Sequence, residues 1–284
     1  MKSQIRDRQA APILVLGGTG QVGHFLLPRL LDDGASVVAV SRQVPPSSRP
    51  GLLWLQQDLA HESARVQAQV LISAGPLELA LRQAMATPGL RRLIALSSAS
   101  VHFKQESPDR TEREQIERLA ATEEQVCDLA LRRGISLTLL RPTLIYGGPD
   151  DANLSTIRAY VRGHGSVPVG GRGLRQPVYA DDLAELCLGL VMRESDEPET
   201  FDLGGGETLT YPDFIRRVAS AAGCNPRIVR LPPGLLAAGV SLARALGRMR
   251  SVTPTMVRRQ RMDLIVDDTA ARSALDWNPR SFLP

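Results

Sequence analysis

The stretch "APILVLGGTGQVGHFLLPRLL", residues 11–31, joins an apolar run to a helical pattern through a glycine-rich turn. Gly17, Gly20 and Gly23 recur at every third position, as GxxGxxG. Glycines spaced this way permit a tight turn at a strand end, close backbone approach to a pyrophosphate, and tight packing of the helix on the strand. The helix N-terminus then presents unpaired amide donors and the positive end of its dipole. The chain is therefore expected to open with a dinucleotide-binding βα unit, contacted through Gly17, Thr19, Gly20, Gln21, Val22 and Gly23.

The rest of the first half continues that unit. Strand-like runs fall at 12–18, 36–42, 52–59, 69–75, 92–98 and 136–142, with helical patterns at 21–32, 77–86 and 116–132. Nearly continuous apolar strands fit a parallel sheet covered on both faces by helices. The alternation predicts an α/β fold, a Rossmann-type doubly wound parallel sheet. Pro28 lies inside the first helical pattern, where it removes a hydrogen bond, so a bend is expected over 24–28. Beyond "IYGGPDD" (145–151) the pattern changes to helices at 153–162, 181–193, 211–222 and 234–246, with strands at 200–205 and 227–232. The expected division is a cofactor-binding domain of 1–148 plus about 176–205, and a smaller substrate lobe of about 149–175 and 206–284.

Cofactor choice is read at the end of the second strand, about 20 residues past the glycines, where an acid would grip a ribose 2′-hydroxyl. Ser41 and Arg42 stand there instead. A guanidinium pairs with a 2′-phosphate that an acid would repel, so NADP is favoured over NAD. Asp58 and Leu59 follow the third strand, at the adenine side, with a plain turn as the alternative for Asp58. Ser73, Ala74 and Gly75, at the end of the fourth, complete this part of the expected cofactor set.

Composition limits the partners. The 284 residues carry a net charge of +4 with a pI near 9.3, and lysine occurs only at Lys2 and Lys104. Arginine favours phosphate and carboxylate partners, while codon bias explains the same excess. Aromatic residues make up only 4 %, which argues against a nucleic-acid surface of basic and interleaved aromatic residues. Cys127, Cys187 and Cys224 lie far apart without a CxxC pair, so neither a metal knuckle nor a disulfide framework is expected. No apolar run reads as a signal-peptide core or membrane span, and the expected location is cytoplasmic. The arginines at 244, 248, 250, 258, 259 and 261 are read as a solvent-facing cluster, and helix 234–246 as a packed lid.

Together "GGTGQVG" (17–23), "QQDL" (56–59), "ALSSASVHF" (95–103), "LLRPTLIYGG" (139–148), "RQPVYADDLAE" (175–185) and "FDLGGGETLTYPDF" (201–214) resemble the extended and atypical short-chain dehydrogenase/reductase superfamily, the NAD-dependent epimerase/dehydratase group. They run in the family order across nearly the whole chain. The resemblance implies an active site in a cleft between a Rossmann domain and a C-terminal lobe. It places Ser98 at the family's catalytic serine, Ser97 and Pro142 beside the cofactor, and Tyr146 near cofactor and substrate. Asn153, Arg175, Gln176 and Tyr179 fall in segments that border the substrate pocket in the family. A homodimer through two Rossmann-domain helices is common there.

The family's YxxxK pair is missing. Counted back from Arg141, its positions fall near Ile116 and Ala120, the first tyrosine of the chain is Tyr146, and both lysines precede residue 105. The expected substitutes as proton donor are His102, whose side chain suits exchange near neutral pH, and Tyr146. A cleft-lining role remains open for His102, a solvated loop charge for Lys104, and a packing role for Tyr146. Two functions stay open: an NADP(H)-dependent reductase or epimerase of a small polar or sugar-like substrate, and a silent NADP(H)-binding redox sensor or assembly protein. Asp181 and Asp182 are expected to cap the helix that follows them.

Overall fold

The computed structural model describes residues 11–43, 49–149, 151–245 and 254–284. The first strand, β1 (Ile13–Leu16), is buried on both faces and runs through the glycine turn into α1 (Gln21–Asp32). The helix is unbroken at Pro28. Strands β2 (Val37–Ser41), β3 (Leu52–Gln56) and β4 (Val70–Ser73) follow, then α2 (Leu77–Met85), β5 (Arg92–Leu96) and the single turn α3 (Ser100–Phe103). A long helix, α4 (Arg110–Arg133), leads into β6 (Ser136–Pro142).

The expected helix at 116–132 thus begins earlier, at Arg110. The Asp109 side chain accepts from the amides of Thr111 and Glu112, and Glu112 sits in the first turn. The cap starts a turn whose residues are too polar to show an apolar period. At the other end Gly134 takes a left-handed conformation, φ 60°, and stops the helix.

After β6 the chain leaves the sheet. It forms β7 (Ile145–Tyr146), α5 (Ala152–Gly163), β8 (Ser166–Val169), β9 (Leu174–Arg175) and β10 (Val178–Tyr179), then α6 (Ala180–Leu190), and returns as β11 (Glu199–Leu203). The remaining elements are β12 (Leu209–Thr210), α7 (Tyr211–Ala221), β13 (Arg227–Arg230), α8 (Pro233–Ala245), α9 (Pro254–Arg259) and α10 (Thr269–Leu275).

Seven strands form one parallel sheet in the order β11-β6-β5-β4-β1-β2-β3. Helices α1 and α6 pack on one face with Trp277, and α2 and α4 on the other. This is the doubly wound α/β fold that the strand pattern predicts. The order reverses between β1 and β4, where such sheets open a crevice at the strand C-termini. Short pairs β7–β10, β9–β12 and β8–β13 build a smaller lobe around Tyr146, Leu154, Phe214, Ile215 and Phe282. Helix α8 contributes Leu236 and Val240 to a separate contact with Val257 of α9. Arg248 and Arg250 of the expected basic cluster lie outside the described residues. No helix among the described residues is long and apolar enough to cross a membrane.

Candidate functional site

Gly17 has φ +75°, and a Cβ there would stand 2.8 Å from the backbone of Ala74 and Gly75. At Gly23 a Cβ would collide with the Gly17 carbonyl and with Gly18. The two glycines let the start of α1 lie directly on the β1 and β4 ends. Gly20 is the N-cap of α1 and has no side chain to satisfy the first amides, so those donors are left for a ligand. Beside this turn, Ser73 is 1 % exposed and its Oγ has no partner among the described residues. An orphaned buried hydroxyl next to an uncapped helix fits a polar ligand laid across the sheet crevice. The residues present therefore fit a dinucleotide.

At the end of β2, Ser41 Oγ accepts from the Gln43 amide, and Gln56 donates to the Arg42 carbonyl at 3.3 Å. The exposed Arg42 guanidinium makes no ion pair among the described residues. Asp58, expected at the adenine side, accepts from the Ala60 amide at 3.0 Å, the local turn bond that is its alternative. Leu59 and Ala74 pack into the two cores, one on each face of the sheet. Gln21 reaches from the first turn of α1 to the Gly147 carbonyl at 3.0 Å, tying the turn to the segment after β7.

A second group assembles at the C-terminal ends of β5, β6 and β11. Ser97 donates to Glu123 at 2.5 Å, and Arg141 grips the same carboxylate through two hydrogen bonds of 2.9 and 2.5 Å. Glu123 is 5 % exposed. Its hydrogen bonds raise the Arg141 guanidinium above its ordinary range. Ser98 Oγ accepts from the Ser100 amide at 3.1 Å, and the Ala99 amide donates to the Pro142 carbonyl at 3.0 Å. The serine turn is thereby held against β6. One turn on, His102 Nε2 lies 2.9 and 3.1 Å from the two oxygens of Asp202 on β11.

His102 also lines a cavity of about 460 Å³ with Lys104, Glu112, Arg258 and Arg259. Lys104 is half-buried, and burial together with repulsion from Arg259 lowers its pKa. Arg259 is paired with Glu112 at 2.8 Å. These two basic residues are walls of a cavity, a departure from the solvated charges expected of them.

Tyr146 is placed elsewhere. It is 1 % exposed, its ring packs on Phe282 and Tyr179, and its hydroxyl accepts from the Leu283 amide at 3.1 Å. Burial pushes the phenol up from its ordinary pKa. This is a packing role, the alternative left open for it. Arg175, expected at the substrate pocket, donates to the carbonyls of Leu174, Arg259 and Met262 at 2.7–2.8 Å, and burial lowers its pKa to about 10. Gln176 Oε1 accepts from the Val266 amide at 2.9 Å. Asn153 donates to the Ile145 carbonyl at 2.9 Å, and Tyr179 lies beneath the Arg280 guanidinium. All four are engaged with other parts of the chain, and Tyr179 also packs on Phe25 of α1. Asp181 and Asp182 do not cap α6, whose N-cap is Tyr179 without a side-chain bond. They pair with Arg29 and Arg280 instead.

Sequence reasoning missed Glu123 and Asp202. Glu123 carried a signal, because it falls on the buried stripe Ile116, Glu123, Val126 and Ala130 of α4, where an acid needs a partner. Asp202 carried none, since its partner is a hundred residues away.

The seven-stranded parallel sheet with helices on both faces defines an α/β protein of the Rossmann class. Residues 13–71 match the model of the NAD dependent epimerase/dehydratase family, which bears out the resemblance read from the motifs. Over 94 % of its length the chain is 25 % identical to an uncharacterised protein, y4nG, of Sinorhizobium fredii, spanning 74 % of that protein. Over 78 % it is 24 % identical to the chloroplast stem-loop binding protein of 41 kDa b of Arabidopsis thaliana, spanning 66 % of it, just under two thirds. The structure of MoeE5 in complex with UDP-glucuronic acid and NAD superposes with a TM-score of 0.68 at 19 % identity, covering 96 % of this chain and 95 % of that one. At that identity the likeness concerns the fold.

Proposed function

We propose that this chain is an NAD(P)(H)-binding enzyme of the epimerase/dehydratase type, acting as a reductase or epimerase on a small polar or sugar-like substrate, with NADP(H) preferred. The observation that carries the reading is the uncapped start of α1 at Gly20, set against the buried, unpartnered Ser73 Oγ. The family match over residues 13–71 and the NAD-bound structure of similar fold support it. The amides after Gly20 would hold the pyrophosphate, and Arg42 the 2′-phosphate. When bound, the nicotinamide supplies a hydride donor or acceptor.

The chain's own residues would orient the reactants and move the proton. Ser98, fixed by the Ser100 amide, would hold a ligand oxygen. His102 would exchange a proton with that oxygen, help that is typically worth about 10²–10⁴-fold. The second reading, a silent NADP(H)-binding sensor or assembly protein, is favoured by one observation. The only tyrosine before residue 160 is buried in the smaller lobe, and no lysine lies on α4.

Fluorescence titration separates these points. NADPH is expected to bind roughly tenfold more tightly than NADH, the scale of one hydrogen bond to a charged group, and Arg42→Asp to abolish or reverse the preference. Equal affinities in the unaltered protein would remove Arg42 from the site. Turnover of NADPH in a screen of sugar nucleotides, aldehydes and ketones would favour the enzyme, and its loss in His102→Ala would assign the proton donor.

A further inference from the structure

His102 and Asp202 lie a hundred residues apart and meet because β11 returns to the sheet edge beside β6. In that register Asp202 stands directly across from Arg141, whose guanidinium is already clamped by the buried Glu123. The charges alternate from Glu123 to Arg141 to Asp202, and the Asp202 carboxylate therefore sits beside a fixed positive charge. A carboxylate in this setting accepts hydrogen bonds only. Both of its oxygens lie within 3.1 Å of the same imidazole nitrogen, Nε2.

A neutral imidazole carries one proton, and the partner of one nitrogen decides which nitrogen has it. With an acceptor-only carboxylate on Nε2, the proton resides there and the lone pair is on Nδ1. Among the described residues Nδ1 has no hydrogen-bond partner. His102 is 40 % exposed and lines the cavity shared with Lys104, Glu106, Glu112, Arg258 and Arg259. Asp202 is 26 % exposed, sheltered enough to hold one geometry.

We infer that Asp202 is a positioning residue that fixes His102 in the Nε2–H form and so makes Nδ1 the basic atom of the site. The inference deepens the proposed function and rests on it for the ligand whose proton is moved. The hydroxyl O–H bond of that ligand breaks, the Nδ1–H bond forms, and the positive charge gained by the ring faces the Asp202 carboxylate. In the reverse direction Nδ1–H returns the proton to the same oxygen. Asp202 orients the ring without itself taking the proton, as the orienting acid does in serine-hydrolase triads.

The test is long-range ¹H–¹⁵N correlation on full-length protein labelled at its four histidines, at a pH where the imidazoles are neutral. The His102 signals are assigned by their loss in His102→Gln. In the unaltered protein His102 is expected to show a protonated Nε2 and an unprotonated Nδ1. Asp202→Asn, whose amide both donates and accepts, should shift that pattern toward a mixture or toward Nδ1–H, and Asp202→Glu should restore it. An Nδ1–H form or an even mixture in the unaltered protein would overturn the inference, as would an unchanged spectrum in Asp202→Asn. NADPH titration of the same samples is expected to stay within about threefold of the unaltered protein. Absent NADPH binding with the expected tautomer would instead sink the cofactor reading and leave the pair standing.

Discussion

A methyl group at Gly23 would run into the Gly17 carbonyl and the backbone of Gly18. Neither obstacle has a rotamer through which to yield, so the helix must lift from the strand. Overpacking of this kind costs about 1–3 kcal/mol, and here it also displaces the amides that face the crevice. Gly23→Ala is expected to lower the melting temperature and to weaken NADPH binding at least tenfold; unaltered binding would mean that the turn is not the cofactor's seat. This residue was legible from spacing alone, because a backbone requirement is written in the local sequence. The burial of Tyr146 was not. A tyrosine in "LIYGG" reads as a cleft wall or as core, and the ring of Phe282, more than a hundred residues on, makes it core.

Among the elements, α4 shows what a cap contributes when an apolar stripe is interrupted. Its first turns hold little besides Ile116 on the buried face, and Asp109 satisfies two of the amides that would otherwise be orphaned. Asp109→Ala is expected to cost about 1 kcal/mol, read as a lower urea midpoint with an unchanged slope. A midpoint equal to that of the unaltered protein would show that tertiary contacts alone hold this end. The arginines also find an explanation at this scale. Helices running antiparallel to the strands bring their C-termini to the sheet's N-terminal edge, where their carbonyls lack partners. Arg92 donates to the Leu190 carbonyl at the end of α6, and Arg133 to the carbonyls of Ala84 in the last turn of α2 and of Thr87 and Pro88 just after it. Burial brings Arg92 down to about 10, and it meets hydroxyls of Ser136 and Thr138 there. These cations complement the negative helix ends, a structural use for a charge excess that composition left open between partner binding and codon bias.

Across the whole molecule, residues 277–284 bind the two lobes together. Trp277 donates to the Gly204 carbonyl at 2.9 Å, Arg280 pairs with Asp181 and Asp182 at the start of α6, and Phe282 is fully buried between Tyr146 and Phe214. Truncation of such a ring to alanine typically costs about 3–5 kcal/mol. Phe282→Ala is expected to lower the urea midpoint by that equivalent, while a loss below 1 kcal/mol would mean that the smaller lobe closes without it. Six of the seven sheet strands, helices α1, α2 and α4, and the glycine cradle could be read from residues 11–142, because strand period, helix period and turn chemistry belong to neighbouring residues. The sequence by itself also determined that no tyrosine precedes Tyr146 and no lysine follows Lys104. Only the tertiary structure decided which distant side chains meet. The pairing of His102 with Asp202, the clamp of Glu123 on Arg141, and the diversion of Arg175 to backbone carbonyls all join residues 18 to 100 positions apart. The Glu123 clamp forms once α4 packs back on β6, whereas the other two need β11 paired with β6 or the smaller lobe folded back, and no local pattern encodes that closure.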